Sequence, residues 1–180
     1  MLLVLGVTWF TEAQMPGYII NLDESPLSHG KAAYLDFVKL HGLKYSLKPW
    51  LQRVVDAFAS FEIPSIVASL LATSFAVGYP SQYQELAGIH EALSPIWPDI
   101  PSLDFFTAGQ YAYELNHMVT GCTSILACNP ATGEVIHGRN LDWPKQVINV
   151  TAEITFMRGG KVLYKSVQMM CVMGVLTMAS

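Results

Sequence analysis

Runs of basic residues are missing from this 180-residue chain. Its 10 Lys and Arg are scattered among 14 Asp and Glu, for a formal net charge of −4. A phosphate-reading surface needs a positive patch, so nucleic acid is not an expected partner. Charged residues make up only 13% of the chain against 52% hydrophobic ones, which excludes a disordered tail or a solvated coiled coil. Cysteine is scarce as well: Cys122, Cys128 and Cys171 are an odd set confined to the last third. That excludes a disulfide scaffold. With no C-x-x-C pair and no histidines at metal spacing, neither a metal nor a cofactor is expected. What remains is one domain's length of chain with ample apolar material for a core.

Residues Leu2 to Phe10 form an apolar stretch that suits a signal-peptide core and is too short to span a bilayer. No Lys or Arg precedes it, so a buried first strand or a trimmed start is the alternative for residues 1–14. Asn149-Val150-Thr151 is a glycosylation acceptor that fits a secretory route.

Residues 15–121 read as mainly helical. Ser28 to His41 carries an apolar face of Tyr34, Phe37, Val38 and Leu40, and Leu47 to Phe61 repeats the pattern with Pro49 in its first turn. Ser65 to Tyr79 is apolar nearly all round, which predicts a buried helix, with a lipid-facing helix as the alternative. Ser81 to Leu93 is a further helix with Ser81 as its N-cap, and Leu103 to Met118 a last one after a proline-rich loop.

The texture changes at Cys122. Thr123 to Cys128 reads as a strand, residues 129–133 as a turn and Glu134 to His137 as a returning strand. From Asn149 to Met157, Val150, Ala152, Ile154 and Phe156 alternate with polar residues. Arg158-Gly159-Gly160 then turns into Lys161–Val167, and Gly174 to Met178 adds another strand. The expected class is α+β: a helical N-terminal half followed by an antiparallel β-meander. A hairpin after Cys122 would bring Arg139 and Asp142 beside it, and a nearby cation favours the thiolate that makes a cysteine nucleophilic. On the residues alone, Cys122 reads more readily as a small buried hydrophobe than as a nucleophile, and Arg139 with Asp142 could be a surface pair. His137 reads as structural; His29, His41, His90 and His117 read as helix-surface or capping residues, and Cys128 and Cys171 as core thiols.

Cys122-Thr123-Ser124-Ile125, followed by His137-Gly138-Arg139-Asn140-Leu141-Asp142, closely resembles the acid ceramidase and N-acylethanolamine acid amidase family. Ile20-Asn21-Leu22-Asp23, Glu85-Leu86-Ala87-Gly88-Ile89, Tyr113-Glu114-Leu115 and Gly174-Val175-Leu176-Thr177 follow that family's order, so the resemblance covers roughly residues 16–178. It implies an N-terminal-nucleophile hydrolase with part of an αββα sandwich: residues 15–121 as the helical α-subunit-like region and 122–180 as the start of the catalytic β-subunit-like region. It further implies self-cleavage between Gly121 and Cys122, with Cys122 as nucleophile and Arg139 and Asp142 lining it. The two processed halves would remain together as a heterodimer.

Members of the family continue beyond the position matching Ser180, into a region that supplies an oxyanion-hole asparagine and another acidic residue. The expected substrate is a lipid amide. The short Trp143-Pro144 segment favours N-acylethanolamines over ceramide, and Ser65–Tyr79 would dock on a lipid surface. A catalytically inactive lipid-binding fragment is the alternative from another class. The resemblance and the apolar start together imply a lysosomal or secreted location.

Overall fold

A computed structural model describes residues 15–60, 65–111, 122–128, 130–133, 135–141, 150–170 and 175–179. The fold is α+β. Strand β1 (Gly17–Asn21) leads into helices α1 (Lys31–His41), α2 (Leu47–Ser60), α3 (Ser65–Gly78), α4 (Pro80–Leu93) and the short α5 (Leu103–Ala108). The strands β2 (Cys122–Cys128), β3 (Val135–Leu141), β4 (Thr151–Arg158), β5 (Lys161–Met169) and β6 (Val175–Ala179) follow. They form a four-stranded sheet in the order β1-β4-β5-β6 and a separate β2-β3 ribbon. The meander β4-β5-β6 is antiparallel, whereas β1 lies parallel to β4.

The sheet follows directly from side-chain alternation. Ala152, Ile154 and Phe156 of β4 are buried on one face, while Glu153 on the other is exposed. Gly159 and Gly160 have φ of +56° and +71°, the left-handed pair that a two-residue hairpin needs. Asp23 fastens the β1 end to this turn, its Oδ2 accepting from the Gly159 amide at 2.6 Å.

The helices cover the face bearing Ile20, Ile154 and Phe156, forming one core with Phe37, Leu86, Ile89, Leu93, Trp97 and Phe106. In α1, Ala33, Tyr34, Phe37 and Val38 are buried, but Leu40 is 64% exposed, so the apolar stripe stops short of the last turn. Pro80, not Ser81, opens α4, with Tyr79 at the cap position. Proline is well suited there because its missing N–H has no intrahelical partner to lose. Ser102 caps α5, which ends at Ala108 in a 3-10 turn, Gly109–Tyr111. The expected continuation through 112–118 lies outside the described residues.

The largest departure is α3. Ala68, Ala72 and Phe75 are buried, yet Ile66, Leu70 and Val77 are 65%, 63% and 80% exposed. Among the described residues the helix is therefore half-covered, packed by α4 and α5, rather than buried as its composition suggests.

Gly88 of α4 passes so close to the chain after β1 that a Cβ would lie 1.9 Å from the Leu27 carbonyl oxygen. Alanine would add up to ~1 kcal/mol of helix propensity, but displacing a backbone carbonyl costs more, typically ~1–3 kcal/mol. Gly88→Ala should therefore lower the thermal midpoint despite being a better helix former.

Candidate active site and an open acidic cavity

The sequence places its chemistry on the β2-β3 ribbon. Cys122 opens β2 opposite Leu141, and Ser124 stands opposite Arg139. Cys122 and Arg139 therefore occupy diagonal positions of the same parity, a relation that spans about 7–8 Å in an antiparallel pair. His137 pairs with Leu126 and Asn140 with Thr123. The register is set at the turn, where Cys128 meets Val135 and Gly133 takes φ +72°. β3 runs close to β6, which brings the ribbon against the larger sheet. Gly121, Asp142 and Asn149 lie outside the described residues, as do His117 and Cys171. Cys128 is exposed at the ribbon's turn end rather than in the core.

A second concentration of polar groups lies between the large sheet and helices α1 and α4. A cavity of about 650 Å³ is lined there by Ile20, Ile154 and Phe156 below, and by Glu85, His29 and Arg158 among the polar groups. His29 is buried, contrary to the expected surface or capping position. The turn Pro26–Ser28 folds it inward, where its Nε2 lies 3.1 Å from the Glu24 carbonyl oxygen. Its Nδ1 is 3.8 Å from the Glu85 carboxylate. Burial pushes the Glu85 carboxyl up to about 7 from its ordinary 4.5, because a low-dielectric site disfavours the ionised form.

The sequence offered a signal for this acid that the motif reading passed over. Glu85 is one turn from Ile89, which is fully buried, so helical periodicity places a carboxyl on the apolar face.

No family model matches the chain. The chain is 30% identical over 174 residues to an N-acylethanolamine-hydrolyzing acid amidase of Caenorhabditis elegans. The similarity is to an amide hydrolase. It covers 89% of this chain and 43% of that protein, so the chain spans less than half the length of this relative. The matched stretch is long enough to take in residues on both sides of Cys122, the helical half as well as the strands.

Among the described residues, no His, Cys, Asp or Glu cluster is arranged to hold a metal ion, and no helix is long and apolar enough to cross a membrane.

The raised Glu85 value carries a consequence for stability. The native state prefers the neutral acid, so this contribution is fully present below about pH 4.5 and is lost as pH rises through about 7. The difference is on the order of 3 kcal/mol. Glu85→Gln, neutral throughout, should be more stable than the parent at mildly alkaline pH and should lose that part of the pH dependence. Urea midpoints across this range check it; parallel curves for the two proteins would show that Glu85 ionises without penalty.

Proposed function

We propose that the chain is the nucleophile-bearing part of a cysteine amide hydrolase that cleaves N-acylethanolamines. The observation that carries this reading is the similarity to the acid amidase along nearly the whole chain. The diagonal placement of Cys122 and Arg139 supports it.

The chemistry begins with the chain itself. The Cys122 thiolate attacks the Gly121 carbonyl carbon; the C–N bond breaks, the Cys122 nitrogen takes a proton, and a thioester forms. Water hydrolyses the thioester, leaving a Gly121 carboxylate and a free thiol. Cys122 then carries both a nucleophile and an α-amine, whose ordinary value of ~7.7–8 suits a base working near neutrality. Arg139 lowers that value and an ionised Asp142 raises it.

In turnover the thiolate attacks the acyl carbon of the lipid amide, and the amine departs with a proton from the α-ammonium. Water then releases the fatty acid and restores the thiol. The two pieces stay associated as a heterodimer, since β1 belongs to the first and β4, its hydrogen-bonded neighbour, to the second.

The short segment beginning Trp143-Pro144 favours an ethanolamide over ceramide as substrate. Ser65–Tyr79 docks on the lipid surface that supplies it, through the exposed Ile66, Leu70, Val77 and Tyr79. The apolar start and an Asn149 glycan fit delivery through the secretory route to a lysosomal or secreted location.

The test is intact mass after incubation at mildly acidic pH, followed by hydrolysis of an N-acylethanolamine and a ceramide. Pieces ending at Gly121 and beginning at Cys122, with faster release from the ethanolamide, are expected. An uncut chain that hydrolyses neither lipid would overturn the reading.

A further inference from the structure

The described lining of the cavity beneath α1 and α4 comes from β1 and the segment after it, from α1 and α4, and from β4 and β5 with Met170 just beyond. At about 650 Å³ it falls within the range of small-molecule sites, roughly 300–1,000 Å³. Three aromatic rings line it: Tyr34, Phe156 and Tyr164, the last two stacked with centroids 4.6 Å apart. Aromatic faces attract cations.

The Glu85 side chain is only 16% exposed, and no described residue donates a hydrogen bond to it. A buried carboxyl without donors is costly when ionised, and a cation bearing several N–H groups removes that cost. Close by, Ser166 shares its strand face with Tyr164 and buries an Oγ that has no partner among the described residues.

We propose that this cavity binds a primary alkylammonium ion, with its –NH₃⁺ on the Glu85 carboxylate and its hydrocarbon chain along Ile20, Ile154 and Phe156. A quaternary ammonium would satisfy the rings but offer Glu85 no hydrogen bond. A carboxylic acid would instead place its head against Arg158, which stands at the exposed end of β4.

The groups facing Glu85 set the pH dependence. Glu24 and His29 come from the segment after β1, Tyr34 from α1, Arg158 from β4 and Tyr164 from β5. Glu24 favours a cation and Arg158 opposes it. A charged His29 also opposes it. Burial and the nearby Glu85 charge push the Tyr164 hydroxyl above its ordinary value, so it stays neutral. Binding of the cation therefore releases a proton and tightens as pH rises.

The experiment is calorimetric titration of hexylammonium chloride into the full chain between about pH 5 and about pH 8, with hexanoate as comparison. Affinity for hexylammonium should rise on the order of a hundredfold across this range, as the Glu85 carboxyl ionises through about 7. Glu85→Gln, shown folded by a cooperative melt, should bind at least about tenfold more weakly with a flat pH profile. Arg158→Gln should bind severalfold more tightly.

Unchanged affinity in Glu85→Gln would overturn the proposal. So would hexanoate binding that tightens as pH falls, or no hexylammonium binding at millimolar concentration by a cooperatively melting chain. Cys122→Ala should bind like the parent, so failure of the amidase reading and failure of this one are told apart.

Discussion

Cys122→Ala is expected to leave the chain uncut at mildly acidic pH and to lower lipid-amide hydrolysis on the order of 10⁴-fold or more. In the proposed mechanism one sulfur serves two reactions, which sets the size of the effect. Without Sγ the Gly121 carbonyl meets no nucleophile, so the α-amine at residue 122 is never released. The same substitution removes the atom on which the acyl group would be held. An enzyme that lost only a positioning residue would still process itself slowly; this variant should not. Alanine keeps the strand position opposite Leu141, so the thermal midpoint should change little. Cys122→Ser provides a graded comparison, because a hydroxyl attacks more slowly than a thiolate yet still reaches the carbonyl. Hydrolysis persisting in Cys122→Ala would refute the nucleophile assignment.

Phe37→Ala should be the most damaging of the simple core truncations, at about 3–5 kcal/mol. Phe37 has no exposed surface. Its ring meets Tyr18 edge-on at 6.4 Å and lies 4.5 Å from the His41 ring, so its removal opens a void between α1 and β1. For a chain of this length each kcal/mol lowers the midpoint by roughly 2–4 °C, which puts the loss near ~10 °C. Against a typical total of about 5–15 kcal/mol, such a change brings the protein close to unfolding at ordinary temperature. Phe37→Leu, which keeps most of the volume, should cost much less, and a urea titration of the pair separates lost packing from lost fold.

The parts of this structure that could be read from the sequence are those whose signals are local. The alternation through Val150, Ala152, Ile154 and Phe156, with the Gly159-Gly160 turn after it, predicts β4 and its hairpin because pleat and turn depend on adjacent residues. The β2-β3 pairing was legible for the same reason, since one hairpin contains both strands.

What was missed depends on distant neighbours. The apolar run of α3 says that the helix prefers cover, not that only one side finds it. Cys128 carries a core-type side chain, yet its place at a turn end leaves it exposed. His29 and Glu85 look like surface residues in composition, and only the packing of the segment after β1 against α4 buries them together. The resemblance named β1 as a strand, but nothing in its five residues says that its neighbour is β4.

That pairing bears on how the molecule is made. Asp23 and Gly159, joined by a hydrogen bond, are 136 positions apart. At ~5–20 residues per second of synthesis, roughly 7 to 27 s separate the appearance of β1 from that of its partner. Through that interval the helices can form locally, but Ile20 and Phe37 have no β4 to close over them. Closing so long a loop comes before any reward from the contacts it allows, which slows assembly. The newly made helical segment thus depends on protection from aggregation until the later strands emerge, and the core is completed late rather than element by element.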